Sequence, residues 1–398
     1  MKNDNSSGLF STAVASFLVC VLVIALFGSY ALLMDSTNIN QNEYYETIAK
    51  KTSSSFADSS LNSIQSIDSS SSEDSSLVEI DLYPAKSSDY KAVTDKEFTA
   101  ENAILVDADS DEIIAGKNYD KKIYPASLTK LMTVLVAVDE LDDLNKTYTF
   151  KSEIVDPLVD ENASRVGFEA GEKVTAKDLL CASMLESGAD GTGGLADMIA
   201  GSEKEFVNLM NEKVAELGLK NTHFSNASGL FDKNNYSTAE DIAVIMNEVR
   251  NNDTLNEIIG LKTYTSSKTA QHKNGIKMNS IVFSRLNGYF VEGGGEITGG
   301  KTGFIDESKY SMASVYENNG RTFICVTSKS STEFKSVEDS IMLYEKYAVP
   351  KSKIAAAADS DSTESLSSSD SSTDDSTADE ISNNVVIANS APARERIS

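Results

Sequence analysis

Tyr124-Pro-Ala-Ser-Leu-Thr-Lys-Leu-Met-Thr133 reads as the entry to a buried helix. Pro125 suits a helix start, and Leu131–Val138 is too apolar for a helix with a solvent face. Ser127 and Lys130, three apart, fall on one helical face within reach of each other. Desolvation at the head of such a helix favours a neutral lysine. A neutral amine can take the proton of a serine hydroxyl as its oxygen attacks. Alone, Ser-x-x-Lys arises often by chance, and the plain alternative is an N-cap serine followed by a snorkelling lysine. Companions elsewhere in the chain have to decide.

Working outward, Ala103–Asp107 and Glu112–Ala115, joined by Ala108–Asp111, pattern as a hairpin upstream of this helix. Downstream, Thr175 with Asp178 forms a capping box opening a helix through Leu185. Ser202 with Glu205 opens a second, with Phe206, Leu209, Met210 and Val214 on one face. Ser237 with Glu240 opens a third, carrying Ile242, Ile245, Met246 and Val249. Gly191-Thr-Gly-Gly194 is poor helix-forming sequence. From Tyr310 the pattern becomes strand, turn, strand, with Asn319-Gly320 as the hairpin signal between Tyr310–Tyr316 and Thr322–Ser328. A last helix spans Thr332–Tyr347. Strands at both ends with helices between predict an α+β fold, an antiparallel sheet closed by its terminal strands and covered by helices.

The chain has 398 residues and a net charge of -26. Much of that charge lies in two Ser/Asp-rich segments, 36–95 and 350–398, which cannot bury enough apolar surface to fold. They are expected to be a disordered linker and a disordered tail around one domain, 96–349, with order beginning near Glu97. An acidic chain without basic clusters argues against nucleic-acid binding. Leu9–Leu33 carries no charge and is long enough to span a bilayer. Residues 1–35 are therefore expected to be an uncleaved transmembrane anchor, with a cleaved signal peptide as the alternative. No small residue adjoins Cys20, which speaks against a lipoprotein site. Cys181 and Cys325 sit in apolar surroundings and are expected to be buried thiols, although sequence leaves their pairing open. His223 and His272 lack metal-ligand spacing.

Lys301-Thr302-Gly303 follows a glycine-rich run from Gly293. Gly295 to Thr302 satisfies the phosphate-loop pattern G-x-x-x-x-G-K-T. That loop needs a helix beginning at its end to hold phosphate, and here Gly303-Phe-Ile-Asp leads into a hairpin instead. The competing reading sets Lys301 and Thr302 on or beside an edge strand facing a cleft, where a cation and a hydroxyl bind a carboxylate and Gly303 admits close approach. Between the two stretches, Ser187-Gly188-Ala189-Asp190 offers a serine that either joins the polar cluster around Ser127 or caps the next helix.

Taken together, Pro-Ala-Ser-Leu-Thr-Lys at 125–130, Ser-Gly-x-Asp at 187–190 and Lys-Thr-Gly at 301–303 resemble the Ser-x-x-Lys, Ser-x-Asn, Lys-Thr-Gly set of penicillin-binding enzymes. Ser164–Glu172, Asn221–Leu230 and Tyr236–Asp241 are similar to stereotyped segments of one branch, the low-molecular-weight D-alanyl-D-alanine carboxypeptidases. The resemblance covers 97–347 and implies a β-lactamase/transpeptidase-like fold and a serine peptidase without metal or cofactor. It implies Ser127 as nucleophile, Lys130 as general base and Ser187 as proton relay to the leaving D-Ala. It further implies Lys301 and Thr302 as carboxylate ligands, Gly303 as the small residue beside the ligand, and the N–H groups of Ser127 and Phe304 as oxyanion donors. His223 is structural on this reading. The implied substrate is the D-Ala-D-Ala end of peptidoglycan stem peptides, with β-lactams as covalent inhibitors, in a single-pass bacterial membrane protein whose catalytic domain is extracytoplasmic.

Two features depart from the family pattern. Ala189 stands where the family usually has Asn, and the acidic tail stands where a β-rich second domain and amphipathic anchor are common. The first motivates an alternative: a domain of the same fold that binds stem peptide or penicillin without useful turnover. A β-lactamase reading ranks lower, because Glu161 and Glu169 precede the middle motif, whereas a class A deacylating Glu follows it.

Overall fold

The Asn319-Gly320 turn adopts φ 55° and 74°, the left-handed pair that a two-residue hairpin matched to strand twist requires. It joins two neighbouring inner strands of a six-stranded sheet. This computed structural model describes residues 83–160 and 163–348. The expected anchor (1–35), most of the expected linker, Glu161 and the tail 350–398 lie outside the described residues. Among the described residues no helix is long and apolar enough to cross a membrane.

In chain order the strands and helices begin with β1 (Ala85–Ala92), β2 (Asn102–Asp107) and β3 (Glu112–Lys117). A 3₁₀ turn, Ala126–Leu128, leads into α1 (Thr129–Glu140), followed by β4 (Thr147–Thr149), α2 (Ser152–Asp160) and β5 (Lys173–Thr175). Helices α3 (Ala176–Leu185), α4 (Ala189–Ala200), α5 (Glu203–Glu216), α6 (Ala239–Asn251) and α7 (Asp253–Gly260) come next. The chain closes with β6 (Thr263–Thr265), β7 (Lys277–Asn279), α8 (Ile281–Leu286), β8 (Glu296–Ile305), β9 (Lys309–Asn318), β10 (Arg321–Ser330) and α9 (Glu333–Leu343).

The main sheet runs β1-β3-β2-β10-β9-β8. The N-terminal hairpin pairs with β10, so the terminal strands close the sheet as the sequence predicts. One part of that expectation is corrected. β1 pairs parallel to β3, so the sheet is mixed, and it occupies residues that the sequence reading gave to the linker. Its sequence, Ala-Lys-Ser-Ser-Asp-Tyr-Lys-Ala, is mostly exposed. It is an edge strand held by backbone pairing, which leaves no apolar alternation to read.

Side-chain alternation sends the inner strands to two cores. Ile104, Val106, Val315, Ile324 and Val326 pack on one face with α1, α3 and α6. Leu105, Met312, Tyr316, Phe323 and Cys325 pack on the other with α9. Thr129 through Ala137 are all buried, so α1 is enclosed on every side, as its all-round apolar character requires.

Four local expectations resolve. Thr175 and Asp178 form the capping box of α3. The cap of α6 is Thr238, which accepts from the Asp241 N–H, one residue after the predicted Ser237–Glu240 pair; Ser237 is instead engaged in backbone bonds to Ile123. The Gly191–Gly194 stretch lies within α4. A Cβ on Gly191 would lie 2.8 Å from the Leu179 carbonyl oxygen, and one on Gly194 2.8 Å from Leu179 Cδ2. Glycine lets α4 approach α3 closely, and that packing overrides its low helix propensity. Cys181 and Cys325 are buried free thiols.

Candidate active site

The 3₁₀ turn that carries Ser127 is built into α1, so the hydroxyl and the Lys130 amine share a rigid base. Lys130 Nζ lies 3.3 Å from Ser127 Oγ and donates to the Ser228 carbonyl. Lys130 is only 2% exposed. Burial pushes its pKa down to about 7, against the opposing pull of Asp190 and Glu203. At neutral pH a substantial fraction of this lysine is therefore an uncharged base beside a hydroxyl.

Asp190 is fully buried at the first turn of α4. Its carboxylate accepts four backbone N–H bonds, from Val166 (3.1 Å), Gly167 (2.9 Å), Phe168 (3.2 Å) and Gly191 (3.0 Å). It thereby binds the 163–168 segment to α4 and holds a negative charge near Lys130. Ser187 sits just before α4 at φ 58°, a left-handed conformation that a serine holds only when its surroundings impose it. Its Oγ accepts from Lys301 Nζ at 2.9 Å. The N-cap of α4 is Gly188, with no side-chain bond, so Ser187 joins the polar cluster and does not cap the helix.

Lys301 lies in β8, an edge strand as predicted, and is 1% exposed. Its Nζ also donates to the Thr302 carbonyl at 2.8 Å. Burial, reinforced by the positive charges of Lys130 and Arg285, holds the amine well below the ordinary lysine range. The charges that act on Lys301 are thus both positive, which suits an anion. Gly295–Thr302 runs into and along a strand with no helix after it, so the phosphate-loop reading has no structural support.

Two glycines hold the Ser127 peptide from opposite sequence directions. A Cβ on Gly303 would lie 3.1 Å from the Pro125 oxygen and 3.3 Å from the Ser127 nitrogen. One on Gly229 would lie 1.9 Å from the Ala126 oxygen, and Gly229 has φ +82°, so this position needs glycine for both space and conformation. Along β8, Thr302 and Phe304 share one face and Lys301 and Gly303 the other.

The structure thus gathers Ser127, Lys130, Ser187, Lys301 and Gly303, with Thr302 and Phe304 adjoining. His223 bonds the Asn234 carbonyl through Nδ1 at 2.8 Å and stacks on Tyr236, a structural setting. Sequence reasoning missed three contributors. The Ser228 carbonyl receives the Lys130 amine. Glu203 accepts from the Ala227 N–H at 3.0 Å, fixing the loop that carries Ser228. Arg285, on α8, has a buried Nη1 with no hydrogen-bond partner and lies over the Tyr310 ring at 6.0 Å. Nothing in local spacing marks any of the three, because each acts through tertiary contact.

A family model described as D-alanyl-D-alanine carboxypeptidase matches residues 89–332. DacF, a D-alanyl-D-alanine carboxypeptidase of Bacillus subtilis (strain 168), is 30% identical over 257 residues, 64% of this chain and 64% of its own length. DacA of Escherichia coli (strain K12) is 31% identical over 258 residues, 62% of this chain and 60% of its own. The chain therefore spans less than two thirds of either relative. The Streptomyces K15 DD-transpeptidase crystal structure aligns with TM-score 0.57 and 28% identity, covering 64% of this chain and 99% of that one.

Proposed function

Because the chain belongs to the D-alanyl-D-alanine carboxypeptidase family, we propose that it removes the terminal D-Ala from peptides ending in D-Ala-D-Ala through an acyl-enzyme on Ser127. The observation that carries this is a buried lysine, with pKa pushed down to about 7, in contact with a serine hydroxyl.

Neutral Lys130 takes the Ser127 proton as Oγ attacks the carbonyl carbon of the penultimate D-Ala. The oxyanion is held by the N–H groups of Ser127 and Phe304, donors of a kind whose removal typically costs about 2.7–4 kcal/mol. Ser187 passes a proton to the departing amine, D-Ala leaves, and water then cleaves the ester and restores Ser127. Lys301 and Thr302 bind the terminal carboxylate, with Arg285 adding positive field. A bound carboxylate would supply the negative charge that Lys301 lacks in the free protein.

The substrate on this reading is the peptidoglycan stem peptide, and β-lactams acylate the same serine. Residues 1–35 anchor the protein in the bacterial membrane with the catalytic domain outside. D-Ala release from a D-Ala-D-Ala peptide, measured for the wild type and Ser127→Ala, tests the proposal. Release confined to the wild type is expected; no release by either would overturn it. Recovery in the membrane fraction, lost on deleting residues 1–35, tests the anchor.

A further inference from the structure

A cleft of about 360 Å³ opens between α8, the loop after it and the start of β8, and none of the serine-site residues lines it. Its apolar lining comes from Phe283, Leu286, Tyr289, Phe290, Ile297 and Ile341. Phe290 is 75% exposed, more than any other large apolar side chain among the described residues. The loop that carries it is pinned at both ends. Tyr289 Oη donates to Glu338 at 3.0 Å, and the Glu292 N–H donates to Glu345 at 2.9 Å. A preformed cleft with an open aromatic wall is a docking surface in want of an occupant.

The chain itself supplies one. A π-helical turn, Tyr344–Ala348, continues α9, and Ala348 packs in the same core cluster as Val291, Ile297 and Ile341. The tail therefore leaves the domain beside the cleft. Its first residues include Lys351-Ser-Lys-Ile-Ala-Ala-Ala-Ala358, a basic and apolar stretch with no acidic group, and acidic sequence begins only at Asp359. On the domain, Glu296 lines the cleft and Glu292 follows Val291, and both are exposed. The cation in the lining, Lys262, lies over the Phe283 ring at 5.6 Å.

We propose that residues 351–358 fold back into this cleft, with Ile354 against Phe290 and with Lys351 and Lys353 facing Glu292 and Glu296. The step from Ala348 to Ile354 can span about 20 Å, and so short a tether keeps the segment at a local concentration on the order of millimolar. A contact too weak to hold a free peptide is then enough. Ile354 removes the Phe290 ring from water, and the lysines meet carboxylates of opposite sign. The other apolar run of the tail, Val385-Val386-Ile387, lies beyond the acidic stretch, whose charge the two glutamates repel. Because β8 begins at Glu296, the docked segment buttresses the strand that carries Lys301.

The chain has no tryptophan, so Phe290→Trp places a single fluorescent reporter at the cleft. Its emission and its quenching by acrylamide are read in the full chain, alone and combined with Ile354→Asp or with Lys351→Glu and Lys353→Glu together. Docking predicts a shielded tryptophan in the parent, and a red shift with stronger quenching in both tail variants. Identical emission and quenching in the parent and in Ile354→Asp overturn the proposal. So does a tryptophan that Val386→Asp exposes and Ile354→Asp does not, which makes the distal run the occupant. Shielding that disappears on dilution of the protein also overturns it, because the occupant is then a second copy.

Discussion

Gly229→Ala separates two physical effects that act on the reactive serine. The residue holds φ +82°, and its Cβ would meet the Ala126 oxygen at 1.9 Å and the Ser127 nitrogen at 3.0 Å. The left-handed backbone alone costs an alanine about 1–2 kcal/mol. The collision is with backbone, not with a yielding side-chain tip, and overpacking of that kind adds about 1–3 kcal/mol. Gly201→Ala supplies the control: φ is +74° with nothing within 4 Å of the added Cβ, so only the backbone cost applies. In urea titrations Gly229→Ala should therefore destabilise by about 2–5 kcal/mol and Gly201→Ala by about 1–2 kcal/mol. The functional consequence should be larger, since the Ala126–Ser127 peptide has to move. A displacement of about 1 Å at a reacting centre lowers rates about a hundredfold. Stopped-flow acylation by penicillin reads that loss directly, with Gly201→Ala acylating like the wild type. A Gly229→Ala protein as stable as Gly201→Ala and acylating at the wild-type rate would refute the proposed packing of this loop against the serine.

Three further outcomes follow from the site. With the Lys130 pKa about 7 and the neutral amine as the base, the acylation rate should fall about tenfold per pH unit below that value and level off above it; a flat profile between pH 5 and 8 would count against Lys130. Asp190→Asn places an amide NH2 against backbone donors, so it should destabilise by about 1–3 kcal/mol. Because Asp190 raises the Lys130 pKa, its neutralisation should also move the acid limb of the rate profile to lower pH. Gly191→Ala improves helix propensity by about 1 kcal/mol, yet it should destabilise the protein in thermal melts, because the added Cβ has no space between α4 and α3.

How much was legible depended on the range of the interaction. Ser127 and Lys130 are three residues apart on one helix, and the apolar run after them dictates burial, so sequence spacing contains their geometry. The Asn319-Gly320 hairpin and the Thr175–Asp178 box are equally local. The α6 cap was misplaced by one residue because Ser237–Glu240 and Thr238–Asp241 satisfy the same spacing, and only the bridge to Ile123 decides between them. β1 escaped notice because most of its side chains are exposed, so no apolar alternation marks it, and Tyr90, which packs on the core, is too little to signal a strand. Gly191 and Gly194 were read by propensity, when the neighbouring helix sets their requirement. Arg285, Glu203 and the Ser228 carbonyl reach the site from other elements, and no periodicity encodes such a meeting.

The central claim is that Ser127 is a nucleophile activated by Lys130. Its most direct test is the intact mass of the full chain after incubation with benzylpenicillin, followed by peptide mapping. The account predicts a gain of one whole penicillin, because ring opening expels no atoms, located on Ser127 and absent from Ser127→Ala. An unchanged mass, or an adduct mapped to another residue, would contradict it.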